Sequence, residues 1–191
     1  SKDSCMTMYT DPIMWYGQEQ LLGEQIKVYM NDSTIDWAHI INQALAIERK
    51  DSLHYNQVAG KEMMGYFREG EMRQVDVNGN VLVVFYPVEE RDSSLILMNY
   101  SEGGFLRMML KDRRMERGAF IGKASGTAYP MDQIPADKYR LPSFVWLDYI
   151  RPLNKEDIFN WRGKKADAVL KQSSRRPTVS PRDMHIERTK K

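Results

Sequence analysis

The sequence predicts an all-β protein built as an open β-jelly-roll, two facing sheets made of repeated hairpins. Three observations predict it. Apolar and polar residues alternate with a period of two in three aligned segments. Each segment runs into a polar turn and comes back as a second alternating segment. The whole pattern recurs, with glycines at 23, 60 and 103 in register and spacings of 60 − 23 = 37 and 103 − 60 = 43 residues.

In chain order, Cys5–Trp15 comes first, with Asp11-Pro12 where later copies have a break. It reads as the end of an earlier copy, so the chain reads as a fragment of a longer array. Three, five and seven residues after the glycines come Ile26, Val28 and Met30, then Met63, Gly65 and Phe67, then Leu106, Met108 and Leu110. Each triplet is a stripe on one face of a strand. The turns Asn31-Asp32-Ser33, Arg68-Glu69-Gly70 and Lys111-Asp112-Arg113 follow, and the return strands bring Ile35, Ala38 and Ile40, then Met72, Val75 and Val77, then Met115, Gly118 and Phe120 onto matching positions. Breaks at Asn42-Gln43, Gly79-Asn80 and Gly122-Lys123 cut each copy into about three or four short strands. A β-propeller blade has a similar period, but closure needs about four blades, and the chain holds fewer copies and no Trp-Asp signature. Two open sheets bury the stripes without closure.

The spacing thus divides the chain into a repeated-hairpin β domain over 1–130, an extension over 131–163 docked on it, and a basic, disordered tail over 164–191. The extension is expected to hold mixed or helical turns: a short helix opening at Ile134-Pro135-Ala136-Asp137 and ending at Leu141-Pro142, a strand or helix at Ser143–Ile150, and a capped turn at Asn154-Lys155-Glu156-Asp157. Phe144, Trp146, Tyr149, Ile158, Phe159 and Trp161 make it apolar enough to dock.

Composition excludes several classes. At 191 residues and 22.3 kDa the chain supports one domain plus a tail, and 42% hydrophobic residues exclude wholesale disorder. No apolar run reaches the roughly 20 residues that cross a bilayer. Cys5 alone makes no disulfide framework, and His39, His54 and His185 are too scattered for a metal site. His39 and His54 read as ordinary strand-surface residues without partners. The net charge of +2 is uneven: residues 164–191 carry nine Lys/Arg against three acids, +6, which leaves −4 for the rest. A solvated basic tail is not the basic folded face of a nucleic-acid binder, so no nucleic-acid partner is expected. No signal peptide is visible at Ser1, as in a cytoplasmic chain or an exported one whose leader was removed.

The sequence offers no catalytic residues, metal ligands or cofactor motif: there is no Gly-x-Ser-x-Gly elbow and no glycine-rich phosphate loop. Glu24, Asp36, Glu62 and Asp76 on the strands could pair as a glycosidase's acids, but alternating acids are normally a strand's wet face. The thirteen methionines, several on or beside the stripes, fill a core or line an adaptable groove, and Gly65 in mid-stripe withdraws volume where a packed core would want it.

The repeat Gly60–Val83, with its Val75-Asp76-Val77-Asn78-Gly79-Asn80 run, resembles the OstA-like periplasmic proteins of lipopolysaccharide transport, the LptA/LptC/LptD N-terminal domain family. Gly126-Thr127-Ala128-Tyr129-Pro130, Ile134-Pro135, Phe144-Val145-Trp146, Arg151-Pro152 and Asp157-Ile158-Phe159 are similar to the end of a longer OstA-like subgroup, so the resemblance spans about residues 1–160. It carries no catalytic site to transfer, and the uneven repeats and truncated first copy depart from it.

The resemblance implies a V-shaped β-jelly-roll in the periplasm that shields acyl chains of lipopolysaccharide or a similar amphiphile, takes part in outer-membrane biogenesis without chemistry, and joins like-folded partners, or copies of itself head to tail, through edge strands. Physically the demand is a continuous dry face. Each methylene removed from water is worth ~0.8 kcal/mol, on the order of 10 kcal/mol for a chain of about 14 carbons. The expected lipid-binding residues are Ile26, Val28, Met30, Ile40, Met63, Phe67, Met72, Val75, Val77, Leu106, Met108, Leu110, Met115 and Phe120. The alternative is a non-catalytic envelope scaffold that pairs with partners through its edge strands.

Overall fold

The computed structural model describes residues 4–31, 34–89, 91, 92, 94–160, 162 and 163. Among the described residues nine strands run in chain order: β1 (Ser4–Tyr9), β2 (Ile13–Tyr16), β3 (Glu19–Leu22), β4 (Gln25–Asn31), β5 (Thr34–Arg49), β6 (Tyr55–Arg68), β7 (Glu71–Phe85), β8 (Leu97–Lys111) and β9 (Arg114–Pro130). They form one antiparallel sheet in the order β1-β4-β5-β6-β7-β8-β9, with β3 beside the second half of β5 and β2 beside β3. The sheet does not close into a barrel. The molecule is the all-β, open jelly-roll that the alternation predicts.

Hairpin geometry follows the turn residues. Glu69 and Gly70 take φ of 56° and 78°, and Asp112 and Arg113 take 51° and 61°, so both two-residue turns lie in the left-handed region that matches strand twist. The predicted breaks behave differently. Asn42 and Gln43 (56° and 49°), Gly79 and Asn80 (79° and 49°) and Gly122 (92°) all have positive φ. The ladder skips there, between Ile41 and Ala44 and between Asn78 and Val81. Pairing then resumes with the same neighbour. The expected three or four short strands per copy are therefore two long, bent ones. An irregular residue pair bends a strand without ending it, because the partner strand skips at the same level. Thr10 and Asp11 (64° and 52°) make the equivalent corner between β1 and β2.

These corners fold the sheet into two wings. The first holds β1, β4 and the tip-proximal halves of β5–β9. The second holds β2, β3 and the other halves. The register glycines mark the fold line. A Cβ on Gly23 would lie 2.5 Å from Ile40 Cγ2, one on Gly60 2.6 Å from Val77 Cγ1, and one on Gly103 2.6 Å from Phe120 Cδ1. Each contact falls 17 residues on (40 − 23, 77 − 60, 120 − 103). The repeat thus records one steric rule applied three times: at the corner, the inward residue of the next strand occupies the place of a side chain.

Behind the second wing lies a separate core. Leu22, Leu45, Ile47, Val84, Tyr86 and Met98 pack there against Leu141, Leu147 and Ile150 of the extension. The extension contains 3-10 turns at Met131–Gln133, Ala136–Lys138, Asp148–Ile150 and Glu156–Phe159. The Asp157 amide donates to Asn154 Oδ1 at 2.9 Å in the last of these. Two fully buried glutamines hold the extension as a neighbouring strand would. Gln20 donates to the Val145 carbonyl at 2.7 Å and accepts from the Leu147 amide at 2.7 Å. Gln57 donates to the Tyr139 carbonyl at 2.8 Å and accepts from the Leu141 amide at 2.8 Å. Of the side chains expected to dock, Phe144 and Trp146 pack on Tyr55, with centroid distances of 5.3 and 5.4 Å. Tyr149, Ile158 and Phe159 are exposed instead, because Leu141, Leu147 and Ile150 already fill the docking face. Trp161 and the basic segment 164–191 lie outside the described residues.

Candidate functional site

Side-chain alternation on paired strands stacks the inward residues into rows across the first wing. Ile26, Ile40, Met63, Val77, Leu106 and Phe120 are successive partners across six strands. Val28, Ala38, Gly65, Val75, Met108 and Gly118 make the next row toward the tips. Nearest the tips, Met30 pairs with Ile35, Phe67 with Met72, and Leu110 with Met115. The row nearest the fold line is bulky. The middle row holds Ala38, Gly65 and Gly118, and the missing volume there opens a trough.

Facing this from the second wing are Met14, Leu21, Ala46 and Val58, again cross-strand partners in one row. The space between the wings measures about 840 Å³. At its far side the wings touch. The Tyr16 ring lies edge-on to Phe67 at 5.6 Å, its hydroxyl accepts from the Met72 amide at 3.3 Å, and the Arg113 guanidinium sits 5.5 Å above its face.

The fourteen side chains singled out in the sequence converge on this one interior. Ile26, Val28, Ile40, Met63, Phe67, Met72, Val75, Val77 and Leu106 are buried in a single cluster, with Met30, Met108, Leu110 and Phe120 packed against it. Ile40, Met63, Met72, Val75, Met108, Leu110 and Met115 line the trough itself. Met115 is the most open of them, 38% exposed at the β9 end. Ile26, Val28, Phe67, Val77 and Leu106 lie in the same rows beside the lining and are buried in the same cluster.

The rim is polar. Along the second wing, Tyr16, Glu19, Glu48 and Asn56 form the outermost row, and Lys50, Asp51, Glu89, Arg113 and Arg114 surround the opening. Glu48 is held by Lys50 Nζ at 3.1 Å and Asn56 Nδ2 at 2.8 Å. Burial, and next the charge of Glu48, push the Glu19 carboxyl up to about 7, against the pull of Arg113 and Lys50. Burial would also raise Asp51, but hydrogen bonds from the His54 ring and from the His54 and Leu53 amides win and hold it at about 2.

A carboxyl whose folded value lies above its unfolded one favours the folded state fully below the unfolded value of 4.5, and that contribution is lost as pH rises through about 7. Glu19→Gln is therefore expected to melt like the parent near pH 4.5 and above it at pH 8, by roughly 1–2 kcal/mol after solvent screening. Thermal melts of both proteins at the two pH values check this, and a gap that does not widen with pH refutes it.

Several participants were not visible in the sequence. Met14, Tyr16, Glu19, Leu21 and Ala46 sit on β2, β3 and the second half of β5, where the triplet pattern stops. Elsewhere two expectations need correction. His54 lies in the β5–β6 connection, not on a strand, with Nδ1 2.7 Å from Asp51 Oδ2 and its ring against Tyr86; His39 Nε2 is 3.4 Å from Glu62 Oε2. Asp76 is not wet but 8% exposed on the outer face, because Arg107 binds both its oxygens at 2.8 and 2.7 Å and Gln74 adds a third donor. Glu24 lies between β3 and β4, accepting from Asn42 and Gln43 at the corner. Among the described residues no three His, Cys, Asp or Glu side chains come together as a metal-holding group. No protein-family model, curated protein or solved structure matches this chain.

Proposed function

We propose that this chain is a carrier of the OstA-like kind, which binds lipopolysaccharide or a similar amphiphile in the periplasm and hands it on without chemistry. The observation that carries the reading is the trough: inward apolar rows on both wings, hollowed where the middle row turns small. A hydrocarbon chain placed there leaves water along most of its length. The lining of the first wing spans β5 to β9, four strand gaps of about 4.8 Å or ~19 Å in all. One leaflet's worth of acyl chain, about half of a ~30 Å hydrocarbon core, fits that span. The methionines at 63, 72, 108 and 115 suit chains of varied shape, since thioether side chains repack at little cost. β1 and β9 end the main strand order and β2 pairs with β3, so among the described residues each of these three strands has one side unpaired, which supports docking of a like-folded partner or a second copy.

The test is extraction of the purified, folded protein with organic solvent followed by mass spectrometry. A carrier yields a stoichiometric amphiphile with one or more long acyl chains. Extracts that contain none, together with failure of added lipopolysaccharide to bind, overturn the proposal and leave the edge-pairing scaffold.

A further inference from the structure

We infer that the loop over residues 153–159, together with the basic segment that follows it in sequence, docks this chain on the surface of a bilayer rich in anionic lipids. The inference goes beyond the carrier reading and does not depend on what the trough holds. Leu153 and Phe159 are each 84% exposed, the highest values among the described large apolar side chains, and Ile158 is 60% exposed. Single exposed apolar residues are ordinary. Three on one short loop, none of them packed into either core, make a patch that has a use.

The loop is held from inside. The buried Asp157 carboxylate accepts from the Leu153 amide at 2.8 Å, from Asn160 Nδ2 at 3.3 Å and from Arg162 Nη2 at 2.7 Å. The Asp157 amide closes the turn on Asn154 Oδ1 at 2.9 Å. Polar groups of the loop are thus satisfied within it while its apolar side chains point away from the protein's cores, and inserting those side chains elsewhere requires little further ordering of the backbone.

Charge says what covers the patch. The segment 164–191, which begins five residues after Phe159 (164 − 159), carries nine Lys/Arg against three acids, +6. Within 151–163, Arg151, Lys155 and Arg162 outnumber Glu156 and Asp157, and Asp157 is paired with Arg162. A nucleic acid would meet this charge but offers Leu153 and Ile158 no apolar phase. A pocket on a protein would take the side chains but leaves the basic segment to a second, separate site. An anionic bilayer answers both at once, because its headgroups attract Lys and Arg and its acyl boundary takes up apolar side chains. Each basic residue near such a surface strengthens partitioning by roughly fivefold, and two weak anchors together hold where one does not.

Co-sedimentation of the full chain with vesicles of phosphatidylcholine, and of phosphatidylcholine mixed with phosphatidylglycerol, tests the inference. The parent is expected to bind the mixed vesicles at least about tenfold more tightly than the neutral ones, with an advantage that shrinks as salt is added. Leu153→Ser, Ile158→Ser and Phe159→Ser combined should weaken binding to the mixed vesicles by at least about tenfold. The melting point should stay near the parent's, since exposed side chains contribute little to stability. If the triple variant melts early, Phe159→Ser alone carries the test, with an expected loss of about threefold. Parent binding that is absent or equal on the two vesicles, or folded variants that bind like the parent, overturns the inference and leaves the carrier reading untouched.

Discussion

Replacing Gly65 with leucine is expected to leave a folded protein that has lost at least about tenfold in affinity for hydrocarbon chains. Gly65 lies in the middle row, paired with Ala38 on one side and Val75 on the other, and it lines the trough. Unlike the corner glycines, it has room. A Cβ there would meet Met72 Cε at 3.5 Å and Phe67 Cε2 at 3.7 Å, both ordinary van der Waals contacts with ends of side chains, and its φ is not positive. The new side chain therefore grows into the hollow. Backbone strain does not arise, and a strand interior gains from losing a glycine.

Four added carbons occupy the place of about as many ligand methylenes, each worth ~0.8 kcal/mol, so the direct loss is ~3 kcal/mol before the chain shifts along the trough to recover part of it. Dye displacement by dodecanoate measures the loss, and a thermal melt no lower than the parent's shows that the fold survived. Gly65→Ala is the graded control and should lose less. A folded Gly65→Leu protein with unchanged affinity would mean that the hollow is not where chains lie. The contrasting substitution, Gly60→Leu, should unfold the corner, because its Cβ would lie 2.6 Å from Val77 Cγ1 and 3.1 Å from the Asn78 carbonyl.

The contrast between these glycines shows what a sequence makes legible. The triplets after Gly23, Gly60 and Gly103 announce one face of each strand because period two is a local property, and their alignment announces that the faces agree. The first wing was therefore readable, down to residues such as Met63 and Leu106. The second wing was not. Past the corner of β5 both faces are apolar: Ala44 and Ala46 keep the parity of Ala38 and Ile40 and join their cluster, while Leu45 and Ile47 between and beyond them join the rear core. A strand buried on both faces shows no alternation. For the same reason Asn42-Gln43 and Gly79-Asn80 looked like ends of strands. Residues that tolerate positive φ punctuate turns and bends alike, and only the partner strand's skip tells them apart.

Polar residues were the least legible. Glu19, Gln20 and Gln57 are indistinguishable by type from a solvated face. One of them lines the trough and two are fully buried beneath an extension that lies more than 80 residues further along the chain. What fixes their meaning is the partner, and a partner at that separation leaves no mark on local composition.

That dependence gives Gln57→Leu a large expected loss of stability. The parent side chain is 0% exposed, donates to the Tyr55 and Tyr139 carbonyls at 3.1 and 2.8 Å, and accepts from the Leu141 amide at 2.8 Å. Leucine fills nearly the same volume, so the packing term is small and the polar term decides. The Tyr139 carbonyl keeps Arg140 Nη1 at 2.8 Å. The Leu141 amide has no such reserve, and an orphaned buried donor costs ~1–3 kcal/mol in addition to the lost bonds. A total of about 2–4 kcal/mol corresponds, for a domain of this size, to a melting point lower by roughly 5–15 °C.

Gln20→Leu removes the matching grip on Val145 and Leu147 and should cost about as much. The double variant should cost less than the sum, since the extension is released only once. Released, it should let the Trp15–Trp146 edge contact at 5.5 Å and the Arg151 stack on Trp15 go with it, so tryptophan emission should shift to the red below the global melt. Melting points within 2 °C of the parent for both single variants would mean that the extension is held by its apolar side chains alone. Chain binding, in contrast, should persist in Gln57→Leu below its melting point, because the glutamine faces the rear core and the trough opens on the other side of the same strands.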